Sequence, residues 1–320
     1  MLDNVKRRRR TIISYAVFGS IVIALVLYLI FRQRDQMQYE LPQVTRLDTE
    51  SIDNIKIKHG EYESFEIIKT AEEWKLLPEG YKADPDLIAD IVKEIAGFRV
   101  SDLVSTTQHY ERYELDPENR IRIEAKDSGN IVREFEIGKE APSYNHTYAK
   151  LPDDSRIFHA VGNLRNTFDK DKQALRDKLV LSFDKELVAN LSISMGEKQF
   201  RLYRSLEEQS ATSESEAATI EVWTADDGKI WQTEKITELL DRLYNLECSG
   251  YIEDENVDLG EPQLAIEIRA ESSLVFYLYD ETDEGFAGRS TFTAYPFYIS
   301  SWQGENILET FEEQVENLPQ

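Results

Sequence analysis

One arrangement of sequence patterns occurs twice along the chain, and it constrains the fold more than any other feature. In each copy a tryptophan follows an alternating strand pattern, and a helical pattern begins ten to thirteen residues later. Trp74 and Trp223 lie 149 residues apart. The same offset separates Leu87 from Ile236, each near the start of its helical pattern. Because self-similarity at a fixed offset is typical of repeated structural units, the sequence predicts two modules of the same fold.

The helical patterns predict where each module has its first long helix. The first follows Asp84 and Pro85, which suit the N-cap and the first turn of a helix. The second begins near Thr233 and Glu234. Apolar residues at helical spacing predict one buried face on each helix: Leu87, Ile88, Ile91, Ile95 and Phe98 in the first, and Ile236, Leu239, Leu240, Leu243 and Leu246 in the second.

A leucine, a proline and two alternating strands follow each helix, and they predict a hairpin in each copy. The apolar strand residues are Ile121, Ile123, Ala125, Val132, Phe135 and Ile137 in the first copy, and Leu264, Ile266, Ile268, Leu274, Phe276 and Leu278 in the second. An aromatic strand is expected next, around Tyr148 in the first copy and Tyr295–Tyr298 in the second. Ile55 and Ile57 begin the first copy, and Leu164 and Phe168 end it. Leu191 and Ile193 begin the second copy, and Ile307 and Phe311 end it.

These patterns predict an α+β fold with two tandem, duplicated antiparallel-sheet-plus-helix modules. The expected modules are residues 48–170 and 186–315, and residues 171–185 form the junction. Polar and apolar residues alternate along the strands, as expected for sheets that pack on helices with one face. The polar, acidic segment Glu207–Thr219 lengthens the second copy, and we expect it to form a flexible hairpin loop.

Thr11–Phe31 is a run of 21 residues without a charged side chain near the start of the chain. At about 1.5 Å per residue, a helix of this length matches a hydrocarbon core of about 30 Å. We therefore expect a single transmembrane helix at residues 11–31. A cleaved signal peptide would have a shorter apolar stretch followed by a small-x-small site, which this run lacks. Residues 32–47 are expected to form a tether, and residues 316–320 a tail.

The charges around this run predict its direction. Lys6–Arg10 are five consecutive basic residues, whereas only Arg32 and Arg34 follow the run closely. The positive-inside bias therefore predicts that residues 1–10 are cytoplasmic and that the remaining chain is exported to the other side of the membrane. The chain has 61 acidic and 37 basic residues and a net charge of -24. Because such a surface repels phosphate backbones, we expect no nucleic-acid partner.

The sequence contains no pattern typical of a catalytic centre. His59, His109, His146 and His159 are scattered and lack the spacing of a metal-binding motif. No nucleophile elbow and no glycine-rich phosphate loop occurs. The sequence therefore indicates no catalytic, cofactor-binding or metal-binding residue, and we expect no cofactor.

Three further sequence features each allow both a functional and a purely structural interpretation. Cys248 could cross-link two chains, although a small buried side chain is the simpler interpretation. Asp280–Gly285 resembles the start of a calcium loop, but Thr291 occupies the position that needs a bidentate glutamate. Clustered aromatic residues could pack in the core or form an exposed interaction patch: Tyr110, Tyr113, Tyr295, Phe297, Tyr298 and Trp302.

Several local motifs together resemble a bacterial family known as domain of unknown function 4340. These motifs are Trp74 with the helix from Asp84, the Tyr110–Pro117 stretch, Ile137 and Gly138 before Tyr148, and Arg176, Asp177 and Lys178 before the Leu179–Phe183 strand. The resemblance implies a membrane-anchored extracytoplasmic protein, often encoded beside ABC-type export components and gliding-type auxiliary proteins. It implies no active site. The second module departs from the motifs, with Gly260 and Glu261 between its leucine and its proline.

We expect a non-enzymatic, membrane-anchored periplasmic accessory or scaffold subunit. Its expected partner is an inner-membrane protein, either an ABC-type transporter or an auxiliary subunit. One alternative is an envelope hydrolase that acts on peptidoglycan or polysaccharide through paired carboxylates, and it requires an acid with a raised pKa in a cleft. Another is an extracytoplasmic ligand-binding module, which requires a concave pocket lined by aromatic residues.

Overall fold

The computed structural model describes residues 18–28, 40–61, 63–71, 73–143, 145–209 and 218–316. The described residues form two compact units. The first contains the described residues of Met1–Thr70 and Ala89–Lys170, and the second those of Ala71–Ile88 and Asp171–Gln320. Each unit therefore contains two separate stretches of the chain.

Strands are the main secondary structure of both units. The strands are β1 Asn54–His59, β2 Glu63–Lys69, β3 Trp74–Leu77, β4 Tyr81–Lys82, β5 Val100–Ser105, β6 Ile121–Asp127, β7 Asn130–Glu140, β8 His146–Lys150, β9 Ile157–Val161, β10 Leu179–Leu181, β11 Asn190–Met195, β12 Lys198–Gln209, β13 Ala218–Ala225, β14 Ile230–Trp231, β15 Leu246–Glu247, β16 Gly250–Tyr251, β17 Leu264–Arg269, β18 Ser273–Thr282, β19 Gly285–Ser290 and β20 Phe297–Ile299. The helices bounded by described residues are α1 Pro85–Gly97, α2 Leu164–Phe168, α3 Thr233–Leu243 and α4 Ser301–Glu316. Residues 18–28 are also helical.

The first unit contains seven neighbouring antiparallel strands in the order β2-β1-β6-β7-β8-β9-β5. Alternate residues of β1 are buried, and Ile55 and Ile57 lie opposite Ala125 and Ile123 of β6. Three phenylalanines continue this core: Phe98 stacks on Phe135 at 3.9 Å between ring centroids, and Phe168 meets Phe135 edge to face. One face of the sheet is therefore buried, and Phe98, which follows α1, and Phe168 of α2 pack on it.

The second unit contains a nine-stranded antiparallel sheet in the order β14-β13-β12-β11-β17-β18-β19-β20-β16. It also contains the β3–β4 hairpin and the small β10–β15 sheet. Helices α3 and α4 contact each other and bury one face each. Their buried residues include Ile236, Leu239, Leu240 and Leu243 of α3, and Ile307 and Phe311 of α4. This core also contains Trp223 and Trp231.

The seven strands of the first unit and seven strands of the second share one order. The sequence β2-β1-β6-β7-β8-β9-β5 corresponds, position for position, to β12-β11-β17-β18-β19-β20-β16. The expected equivalence between the strand around Tyr148 and the strand at Tyr295–Tyr298 was wrong. Tyr148 lies in β8, and the strand at the same position of the second sheet is β19. The strand with Phe297 and Tyr298 is β20, which is equivalent to β9.

The predicted first helix begins as expected. The Asp84 carboxylate accepts hydrogen bonds from the backbone N–H groups of Asp86 and Leu87, at 2.9 and 3.0 Å, which is the geometry of an N-cap. Ile88, Ile91 and Ile95 are buried on one face of α1, as their spacing predicts.

The α+β class with an N-terminal transmembrane helix was wrong. Strands account for 41% of the structure and helices for 23%, so antiparallel sheets dominate. Among the described residues, no helix combines the length and the apolar composition needed to cross a membrane. Of the predicted span 11–31, only residues 18–28 are described, and residues 11–17 and 29–31 lie outside the described part. Residues 1–10 and 317–320 lie outside it as well.

The expected loop at Glu207–Thr219 is shorter than the sequence indicates. Strand β12 continues to Gln209, and β13 begins at Ala218. The register pairs Glu207 with Ile220 and Gln209 with Ala218. Both ends of the acidic segment are therefore strand, and residues 210–217 lie outside the described part.

Candidate functional site

The most exposed large apolar side chain of the described residues, Trp302, borders a groove of about 500 Å³ in the second unit. Trp302 is 71% exposed, and it lies in the first turn of α4. The groove, here the Trp302 groove, is lined by Glu238, Asp241, Arg242, Tyr244, Asn245, Leu246, Glu247, Trp302, Gln303, Asn306 and Ile307. An exposed aromatic ring beside an apolar groove is typical of a protein-interaction surface.

A reciprocal cap holds the first turn of α4 in place. The Ser300 hydroxyl accepts a hydrogen bond from the backbone N–H of Gln303, and the Gln303 side-chain oxygen accepts one from the backbone N–H of Ser300. This is a capping box, which fixes the start of a helix. A Cβ on Gly304 would lie 2.2 Å from the Phe286 ring, so α4 packs closely on β19 only because this residue is glycine. These contacts fix the position of the backbone that carries Trp302.

The other wall of the groove is formed by the end of α3. Tyr244 is partly exposed, and the ammonium group of Lys185 lies 5.0 Å from its ring centroid. Lys185 also forms an ion pair with Asp241. Arg242 donates a hydrogen bond of 2.6 Å to Glu238, and this bond holds the pKa of Glu238 below its ordinary value. The polar side chains of this wall are thus preorganised around an aromatic centre.

Three of the residues that line the groove are acidic, Glu238, Asp241 and Glu247. Arg242 pairs with Glu238 and Lys185 pairs with Asp241, so the excess negative charge of the rim comes from Glu247. The groove therefore has the features of a binding surface, with an apolar centre and an acidic rim, and it favours a positively charged partner segment.

A second notable cluster, here the Arg176 cage, lies elsewhere in the second unit. The guanidinium carbon of Arg176 lies 3.7 Å from the ring centroids of both Tyr81 and Tyr251, and 4.5 Å from that of Tyr295. Arg176 is 3% exposed. Stacking of a guanidinium group on aromatic faces is strongest where water is excluded. The cage therefore attaches the β3–β4 hairpin, which contains Tyr81, to the rest of the unit.

Hydrogen bonds around the cage support the same structural role. The Tyr251 hydroxyl donates to the backbone carbonyl of Asp177 at 2.8 Å, and the Tyr81 hydroxyl donates to Glu253 at 2.5 Å. Burial raises the pKa of Tyr81, and the hydrogen bond to Glu253 raises it further. Nη1 of Arg176 lies 3.5 Å from the Glu253 carboxylate, and it has no hydrogen-bond partner among the described residues.

Cys248 is a free, buried thiol, which confirms the simpler interpretation of this residue. Burial raises the pKa of its thiol to about 11. The thiolate, which is the nucleophile, is therefore scarce at neutral pH.

In the first unit, Glu136 is a buried carboxylate surrounded by three cations. Arg122 Nε, Lys150 Nζ and Arg120 Nη1 lie 3.0, 3.1 and 3.2 Å from its oxygens. Burial opposes its ionisation, but the hydrogen bonds from Arg122 and Lys150, with the charges of Lys150 and Arg120, outweigh that effect and lower the pKa of Glu136. A buried network of this kind stabilises the folded state as long as every charged partner is present.

We expect this network to make the stability of the first unit depend on pH. Because the pKa of Glu136 is lower in the folded state, its contribution is complete above the unfolded pKa of about 4.3 and is lost as the pH falls through the folded value. Glu136→Gln should cost on the order of 3 kcal/mol at pH 7. Denaturant unfolding of both proteins between pH 7 and pH 3 checks this: the difference between them should shrink towards low pH. A constant difference would contradict it.

The histidines lie apart, except for one pair. His146 and His159 in the first unit have ring centroids 5.5 Å apart, and burial together with His146 lowers the pKa of His159. His59 contacts the backbone carbonyl of Phe168 at 3.0 Å. In the part of the chain that the structure describes, no group of three or more His, Cys, Asp or Glu side chains is arranged to hold a metal ion.

The other residues singled out in the sequence lie in a hairpin, in the core or in the Arg176 cage. Asp280–Thr282 end β18, Asp283 and Glu284 form the turn, and Gly285 begins β19. The Thr282 hydroxyl donates to the carbonyl of Gly285 at 2.9 Å. Phe297 is buried, and Tyr295 is part of the Arg176 cage. The sequence did single out Trp302 but missed Tyr244 and Arg242. The S-x-x-Q capping pair at Ser300 and Gln303 could have indicated that Trp302 starts a helix.

One family model matches the chain, and its description is "Domain of unknown function (DUF4340)". The match covers residues 76–263, more than half of the chain. It includes the Tyr110–Pro117 stretch and Arg176, whereas Trp302 lies beyond it. Comparison with curated proteins gave no match, and comparison with solved structures gave none.

Proposed function

Because the chain belongs to the DUF4340 family, whose description assigns no activity, we propose a function from the chain's own surface. The protein is a non-enzymatic accessory subunit that binds a partner protein through the Trp302 groove. The observation that carries this proposal is the 71% exposure of Trp302 at the edge of an apolar groove. Exposed tryptophan is enriched among the residues that dominate binding energy at protein interfaces.

Charge complementarity specifies the contacting segment of the partner. Glu238, Asp241 and Glu247 surround the groove, and Glu305 and Glu309 are exposed on α4 nearby in sequence. A segment with lysine or arginine residues flanking an apolar side chain satisfies both the acidic rim and the apolar centre. The proposed occupant is therefore a basic, amphipathic segment of a membrane protein.

The proposed location follows from the sequence. The basic residues Lys6–Arg10 precede the uncharged run at 11–31, and this arrangement supports a location at the inner membrane with most of the chain in the periplasm. Association with an ABC-type transporter or a gliding-like auxiliary system is supported by the family resemblance. In this arrangement the partner is held beside the membrane at the periplasmic side.

No specific observation favours the envelope hydrolase. That alternative requires a carboxylic acid with a raised pKa, as general acid. Among the described residues, the carboxyl groups with a shifted pKa are all shifted downward: Glu79, Glu136, Asp154, Glu238 and Glu267.

Trp302→Ala should reduce recovery of the membrane partner at least tenfold. Truncation of an interface tryptophan commonly costs about 2 kcal/mol or more, which corresponds to roughly thirtyfold in affinity. The experiment is affinity purification of the full chain from native membranes in mild detergent, with co-purifying proteins quantified by mass spectrometry.

Leu206→Ala is the matched control, because Leu206 is 70% exposed in the same unit and does not line the groove. It should leave partner recovery unchanged. Recovery of the wild-type chain without any membrane protein, or equal recovery with both variants, would count against the proposal.

A further inference from the structure

A cavity of about 690 Å³ in the first unit is built largely from the Tyr110–Pro117 stretch that carries the family resemblance. Its volume falls within the range of small-molecule sites, about 300–1,000 Å³. Residues Tyr110–Tyr113 form one turn of 3-10 helix, and Glu114 ends it in the left-handed conformation at φ 56°. This turn directs the chain through buried Leu115 to Asp116 and thereby places Asp116 in the cavity wall.

Asp116 is the observation that points to a ligand. It is 9% exposed and lines the cavity. Its Oδ2 accepts a hydrogen bond of 2.8 Å from the Asn119 side chain, but its Oδ1 is buried and has no donor among the described residues. A buried acceptor without a donor costs about 1–3 kcal/mol. A ligand that donates a hydrogen bond to Oδ1 would remove this cost.

The two tyrosines of the cavity are held in position before any ligand arrives. The Tyr110 hydroxyl donates to the carbonyl of Ser155 at 3.0 Å, and Lys150 lies 5.8 Å from the Tyr110 ring centroid. Tyr113 packs edge to face on Tyr148 at 4.7 Å. Rings that are already ordered lose little conformational freedom on binding, so they are suitable contact surfaces.

The polar lining specifies the chemistry of the ligand. Asp116 and Glu111 provide acceptors, while Arg112 and Gln108 provide donors. The two carboxylates and the guanidinium group give the lining charges of both signs, so no single sign of ligand charge is complementary to it. A neutral molecule with many hydroxyl groups uses both kinds of partner, and the C–H face of a sugar ring packs on aromatic rings. We propose that this cavity binds a neutral saccharide, with a sugar hydroxyl donating to Oδ1 of Asp116.

The test uses the full chain in a detergent without a sugar head group, since glycosidic detergents would compete. Maltose, cellobiose and chitobiose are titrated by calorimetry, with spermidine and citrate as charged probes. At least one disaccharide should bind, and Asp116→Asn should weaken it at least tenfold. Asp90→Asn, an exposed carboxyl on α1 that does not line the cavity, should leave binding unchanged.

Two further readouts keep the result interpretable. Asp116→Asn should not lower the melting temperature, because it removes a buried carboxylate whose Oδ1 has no donor. Hydrogen exchange of the unmodified chain should slow at residues 105–117 when the disaccharide is added, which does not depend on any variant. Binding of none of the three disaccharides, binding of spermidine or citrate alone, or protection elsewhere in the chain would overturn the proposal.

Discussion

Arg176→Ala is expected to destabilise the second unit by about 3–5 kcal/mol. The substitution removes a guanidinium group that stacks on Tyr81 and Tyr251 at 3.7 Å, and it leaves a cavity where the side chain was packed. It also removes the side chain that attaches the β3–β4 hairpin. Denaturant unfolding followed by tryptophan fluorescence reports on this unit selectively, because all four tryptophans of the chain belong to it.

Two further variants at this position separate packing from charge. Arg176→Met keeps most of the volume and removes a buried charge whose Nη1 has no hydrogen-bond partner among the described residues, so we expect it to retain more stability than alanine. Arg176→Lys keeps the charge but lacks the flat guanidinium group, and should recover only part of the loss. An alanine variant within about 0.5 kcal/mol of the wild type would show that the cage contributes little, since surface changes alone fall in that range.

Gly138→Ala is expected to have the largest effect in the first unit. A Cβ at this residue of β7 would lie 2.0 Å from the carbonyl oxygen of Tyr113 and 3.0 Å from the backbone of Glu114. Because both neighbours are backbone atoms, the strand and the turn must move apart, at a cost of about 3 kcal/mol or more. Hydrogen exchange should show loss of protection in β7 and in the Tyr110–Tyr113 turn.

Gly97→Ala provides the matched control, because a Cβ there would have no heavy atom within 4 Å. It lies at the end of α1, and we expect it to leave stability unchanged or raise it by about 0.5–1 kcal/mol. Equal protection of β7 in the Gly138→Ala variant and the wild type would contradict the close packing of turn and strand.

The elements with a clear period were the ones that the sequence predicted well. Ile88, Ile91 and Ile95 repeat every three or four residues, and their helix begins at the expected N-cap. Ile121, Ile123 and Ala125 alternate, and their strand is buried at those positions. Local spacing specifies such elements because one face of each is buried.

Elements without a clear local period were misread. Strand β19, Gly285–Ser290, contains two glycines and no β-branched residue, so no strand was predicted there and the aromatic strands were matched incorrectly. Gly288 and Gly304 are needed because aromatic rings of Phe297 and Phe286 approach them, which only the tertiary structure reveals. Strand content was therefore underestimated, and the α+β class was wrong.

The candidate sites depended even more on tertiary contacts. Arg176 and Asp177 were recognised from the family motif, but Tyr81, Tyr251 and Tyr295 come from three distant parts of the chain. The Trp302 groove likewise joins the end of α3 to the start of α4, some sixty residues later in the sequence. No spacing rule connects residues so far apart, so Trp302 and Tyr295 could be singled out by residue type alone, without the residues that they contact.

Site-specific photo-crosslinking in living cells tests the central claim most directly. A photoreactive phenylalanine analogue replaces Tyr244, which is partly exposed in the Trp302 groove, or Leu206, which lies outside it. The proposed function predicts one discrete adduct between the position 244 variant and a membrane protein, and none from position 206. Adducts of equal yield from both positions, or no adduct from position 244, would contradict docking at the groove.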